Sequence, residues 1–81
     1  MYNLFVTRAD GTTFKTLRSP YSNRREALST VRTVIWGTVD GPPSEQVAET
    51  IADFARNVAV APLGESVIHT PSGITFRTER A

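Results

Sequence analysis

The 81-residue chain has no cysteine, a single histidine and a single tryptophan. Without cysteine, neither a disulfide framework nor a thiolate metal site can form. One histidine, His69, cannot by itself build a zinc site, so no metal and no cofactor is expected. No apolar run approaches the roughly 20 residues that a membrane-spanning helix requires. The opening Met1-Tyr2-Asn3-Leu4 has no basic stretch leading into a long apolar segment. A secretory leader is therefore not expected, and the expected compartment is the cytoplasm.

A chain of this length reads as one domain over residues 1–81. It can bury only roughly 60–65% of its unfolded surface, which leaves a thin stability margin. Small scaffolds gain support from disulfides, metals or oligomerisation, and self-association is the support left here. The net charge is only +1, but it is unevenly spread. Residues 1–36 carry six cations against two acids, a net of +4; residues 37–81 carry three cations against six acids, a net of −3. A basic and an acidic half can attract each other within one molecule or between two.

What the chain does contain is a repeated pattern near its two ends: Gly11-Thr12-Thr13-Phe14-Lys15-Thr16-Leu17-Arg18 and Gly73-Ile74-Thr75-Phe76-Arg77-Thr78-Glu79-Arg80. Each copy follows a turn signal, Ala9-Asp10-Gly11 or Pro71-Ser72-Gly73, and each turn follows a short apolar run. The patterning predicts two β-hairpins with three-residue loops. The first gathers Tyr2, Leu4, Val6 and Phe14 on one face and sets Phe5 opposite Lys15. The second pairs Ile68 with Phe76 and Thr70 with Ile74 inward, with Val67 opposite Arg77. Because side chains alternate along a strand, a one-residue slip would exchange the two faces. Convergence on similar packing demands explains the likeness of the hairpins without a duplication.

Between the hairpins, Asn23 with Glu26 three residues later is a capping-box pattern. Ala27, Leu28, Val31, Val34 and Ile35 then recur at helical spacing up to Gly37, predicting a helix over residues 24–36. Asp40-Gly41-Pro42-Pro43 breaks the chain. Ser44 caps a second helix, whose stripe of Val47, Ala48, Ile51, Phe54, Ala55 and Val58 ends before Pro62. The expected fold class is α+β: a four-stranded antiparallel sheet from two β-hairpins, in the order ββααββ, with two helices packed on one face. The expected inward residues are Tyr2, Leu4, Val6, Phe14, Leu28, Val31, Ile35, Val47, Ile51, Phe54, Val58, Ile68, Ile74 and Phe76.

The outer sheet face is the first candidate for binding, with Phe5, Lys15, Leu17, Val67, His69 and Arg77. Apolar side chains beside cations could receive a nucleic-acid strand by stacking and phosphate contact; a solvated face where basic stems cover apolar neighbours is the plainer alternative. Arg24, Arg25 and Arg32 form a candidate basic helix face, for which solvation is again the plainer role. Glu45, Glu49 and Asp53 form an acidic stripe on the second helix. Trp36 is a candidate interface anchor, or a cap over the edge of the core. No serine lies in a nucleophile-elbow sequence, the glycines form no phosphate loop, and His69 has no assured carboxylate partner. The expectation is a small non-enzymatic protein-interaction module, homodimeric, with a small nucleic-acid-binding protein as the alternative. No motif resembles a characterised family.

Overall fold

A computed structural model describes residues 1–81. The elements are β1 (Tyr2–Thr7), β2 (Thr13–Lys15), a short 3-10 turn at Arg24–Ala27, α1 (Leu28–Trp36), α2 (Glu45–Val60), β3 (Ser66–His69) and β4 (Ile74–Arg80). The four strands make one antiparallel sheet in the order β2-β1-β4-β3, so each hairpin forms one half of it. The two terminal strands, β1 and β4, meet along six paired residues from Tyr2↔Arg80 to Thr7↔Thr75. The expected α+β architecture is the one observed.

The first hairpin has the expected register. Phe5 pairs with Lys15 and Val6 with Phe14, and Gly11 closes the loop with φ 91°, a conformation open to glycine at no steric cost. The second hairpin is displaced by one residue from expectation. His69, not Thr70, pairs with Ile74, and Val67, not Ile68, pairs with Phe76. Its loop has four residues because the His69 carbonyl accepts the N–H groups of both Ser72 and Gly73, at 3.2 and 2.8 Å. The slip turns Val67 and His69 to the helix side and Ile68 outward, where it is 56% exposed. The two turns abut: a Cβ on Gly73 (φ 74°) would stand 3.3 Å from that of Ala9.

The helices cover one sheet face. Leu4, Val6, Ile74 and Phe76 from the sheet meet Val31 and Ile35 of α1 and Ile51, Ala55 and Val58 of α2. Phe76 lies at the centre with no exposed surface. Tyr21 and Ala27, absent from the expected core, belong to it. Phe14, expected inside, is 37% exposed: it has the inward phase of Val6, but short edge strand β2 carries it beyond the apolar core, and the Arg8 guanidinium covers its ring at 5.0 Å.

The chain after β2 is tied down by hydroxyls. Tyr21 bridges back to Tyr2 through two backbone bonds, 2.8 and 2.7 Å. Between them, Leu17 and Arg18 leave the sheet, and the Ser19 hydroxyl takes the Leu4 N–H at 3.0 Å. Ser19, Thr16, Tyr21 and Thr30 then form a hydroxyl chain with links of 2.8, 3.1 and 2.9 Å, reaching from β1 to α1. A buried polar group with partners adds rigidity where an unpaired one would destabilise.

The predicted helix over 24–36 begins as the 3-10 turn. Asn23 Oδ1 accepts from the Glu26 N–H at 3.2 Å, as a cap should. The Glu26 carboxylate, however, reaches back to the hydroxyl and N–H of Ser22, one residue earlier than a capping box requires. Those two bonds hold its carboxyl below the ordinary carboxylate range. Ser44 caps α2 as expected, accepting from the Val47 N–H at 3.2 Å.

Candidate interaction surfaces

The side of the sheet opposite the helices has no covering layer. Cross-strand pairing places Lys15, Phe5, Arg77 and Ser66 in one row and Thr13, Thr7, Thr75 and Ile68 in the next, with Asn3 and Glu79 beyond. The expected Lys15–Phe5–Arg77 grouping is thus present. The Arg77 guanidinium lies 4.9 Å from the Phe5 ring centre, and its Nε donates to Glu79 at 2.7 Å. One of the two cations in the row is therefore already occupied by an aromatic face and a carboxylate. Leu17 is fully exposed, in the excursion after β2 rather than within the row.

Val67 and His69 do not belong to this surface, as the register of β3 requires. Val67 packs against the core. The His69 ring stands edge-on to Phe54 of α2 at 4.9 Å, and its Nδ1 bonds the Ser72 hydroxyl at 2.8 Å. Burial there lowers its pKa below the ordinary value of 6.5, because desolvation disfavours the charged imidazolium. Ile68 takes the outward place expected of Val67. The signal that could have found this slip is the turn itself: Thr70-Pro71-Ser72-Gly73 suits a four-residue loop as well as a three-residue one.

The candidate basic helix face is divided. Arg24 turns inward and donates to the Val58 carbonyl at 2.9 Å, satisfying one of the unpaired carbonyls at the end of α2. Arg25 and Arg32 remain exposed, Arg25 on the 3-10 turn and Arg32 on α1. Trp36 is half-buried and packs against the core edge. On α2, Glu45, Glu49 and Asp53 are all exposed, Asp53 being paired with Arg56.

Two clefts flank His69. One, of about 330 Å³, opens between α1, α2 and the β3–β4 turn, lined by Ile35, Val39, Val47, Thr50, Ile51 and His69 among others. The other, of about 380 Å³, runs between α2 and β3, past Asp53, Phe54, Asn57, Ile68 and His69.

The sheet's two edges differ in charge. The exposed cations Arg8, Lys15 and Arg18 lie in β2 or in the segments that flank it; of the exposed acids, Asp53 lines the cleft between α2 and β3 and Glu65 directly precedes β3. The opposite sign is present at each end too: Asp10 in the first turn and Glu26, which shares a cleft with Arg18, at the β2 end, and Arg56 on α2 and Arg77, opposite Ser66, at the β3 end. Asp10 accepts from the Thr12 N–H, which lowers its pKa, and Arg56 is taken by Asp53. No helix is long and apolar enough to cross a membrane. No family model, curated protein or solved structure matches this chain.

Proposed function

We propose that this chain is a small non-enzymatic protein-interaction module that works by self-association, with a homodimer as its smallest assembly. The observation that carries the reading is the opposite charge at opposite edges of one sheet. Edge strands with unpaired backbone groups are ready templates for another chain, and charge complementarity steers and registers such encounters. The modest core, with eleven buried apolar residues, gives association a further role as support for a small domain. Sedimentation velocity over a concentration series tests this. The sedimenting mass should rise with concentration at low salt and fall back as salt screens the exposed charges. A single chain at high micromolar concentration in low salt refutes it.

A second reading, a nucleic-acid-binding protein, is favoured by one observation, the Lys15–Phe5–Arg77 row on the uncovered face. It is the weaker reading because Arg77 is engaged by Glu79. A mobility shift with single-stranded RNA or DNA at low salt, lost on Phe5→Ala, would support it; no shift at low salt removes it, since phosphate contacts are strongest there.

A further inference from the structure

Resting on the self-association proposed for this chain, we infer that its contact is strand addition: β2 of one copy docks antiparallel on the free edge of β3 of another, bringing Phe14 opposite Val67 on the helix side, beside the cleft between β3 and α2. The backbone groups come first. Thr16 N–H bonds the Leu4 carbonyl, so the even-numbered residues of β1 serve β2 and the odd-numbered ones serve β4. Phe14, opposite Val6, therefore points its N–H and C=O into the sheet, while Thr13 and Lys15 point theirs outward. At the other edge the His69 carbonyl closes the turn toward β4. Alternation then leaves the N–H and C=O of Ser66 and Ile68 outward. Each edge thus offers two residues, two apart, with free donors and acceptors.

The side-chain phases agree as well. In the sheet order β2-β1-β4-β3, β2 and β3 run in opposite directions. A copy translated along the sheet therefore brings β2 antiparallel to β3 with the helices of both copies on the same side. Pairing Thr13 with Ile68 and Lys15 with Ser66 sets Phe14 opposite Val67. Both face the helix side, since Phe14 shares the phase of Val6 and Val67 that of Phe76. The exposed Phe14 ring then lies beside the cleft of about 380 Å³ whose wall includes Phe54. Lys15 arrives one residue from Glu65, and Arg8, which lies over Phe14, is carried toward the α2 side, where Asp53 stands already paired with Arg56. Edge strand β3 has neither proline, lysine nor a bulge, the usual blocks to pairing; β2 is short and carries Lys15, whose place opposite Phe5 puts it on the outer face, while Phe14 has the helix-side phase. This contact joins two different surfaces, so a dimer keeps one free edge of each kind and can grow.

Complementation by sedimentation velocity tests the inference. Phe14→Glu spoils the β2 edge. Ile68→Pro spoils the β3 edge, because it removes an outward N–H that β4 does not use; circular dichroism and thermal melts check that both variants fold. The wild type should exceed the mass of two chains as concentration rises. Each variant alone should associate roughly thirtyfold or more weakly, as loss of an interface hot spot does. A mixture of the two, each keeping one intact edge, should stop at two chains. A monomeric wild type overturns self-association and strand addition together. Variants that associate like the wild type overturn strand addition and leave self-association standing. Silent variants whose mixture is also silent exclude a head-to-tail contact.

Discussion

Phe76 and Phe14 occupy matching places in the two sequence copies, yet their truncation should have very different effects. Phe76 sits on a central strand between Val6 and Val67, edge-on to Phe54 at 5.6 Å, with no exposed surface. Phe76→Ala removes the burial of a whole ring and leaves a cavity that the sheet cannot close, a loss of ~3–5 kcal/mol. Phe14 keeps 37% of its surface in water and lies at a sheet edge. Scaling the ~1.5–3 kcal/mol of a fully buried side chain by the area hidden gives about 1–2 kcal/mol for Phe14→Ala, with no enclosed cavity to add. A domain of this size holds about 4–12 kcal/mol in all, so Phe76→Ala should approach or reach unfolding while Phe14→Ala stays folded. Urea denaturation followed by Trp36 fluorescence, at protein concentrations too low for association, measures both. Equal losses for the two variants, or a larger loss for Phe14→Ala, would refute the placing of Phe76 at the centre of the core and Phe14 at its margin.

Tyr21→Phe should lower stability by about 1–2 kcal/mol in the same assay, because it removes the hydroxyl that links Thr16 to Thr30 in a buried setting; an unchanged midpoint would show that the hydroxyl chain contributes nothing. Arg24→Ala should destabilise by roughly 1–2 kcal/mol by leaving the Val58 carbonyl without its donor, and amide exchange in the last turn of α2 should speed up, whereas Arg32→Ala should leave that exchange unchanged. The lowered pKa of His69 means that the unfolded chain takes up its proton first, so stability is full above the ordinary value of 6.5 and declines as pH falls below it toward the folded-state value. His69→Gln should flatten that decline while leaving the separate loss at lower pH, where Asp10 and Glu26, both held below their ordinary values, become protonated.

Much of the architecture is legible in residue patterns because the physics involved is local. Asp10-Gly11 sets its own turn, alternation along residues 2–7 marks a strand with one buried face, and the spacing of Val47, Ile51, Ala55 and Val58 makes a helical stripe whatever covers it. The candidate site is less legible. The Lys15–Phe5–Arg77 row is within reach of the sequence because the register of the first hairpin follows from a well-determined loop. Val67 and His69 fall on the wrong face in the sequence reading because two loop lengths fit Thr70–Gly73. The four-residue form closes on the His69 carbonyl, and it sets His69 against Phe54, a residue on another element that the turn sequence carries no information about. Arg24 reads as part of a basic surface because helical spacing carries no information about the carbonyls at the end of α2.

The sequence by itself determined the four strands, the two helices and their order, though not the 3-10 start of the first helix, and the basic and acidic halves of the chain, since turn chemistry, capping and periodicity act over a few neighbouring residues. Only the tertiary structure decided that β1 and β4 lie side by side, that β2 and β3 become the two open edges, and that Phe14 stands outside a core closed by its sequence counterpart Phe76. Those outcomes depend on which surfaces distant segments present to one another, and burial is a property of the assembled layers rather than of any residue within them.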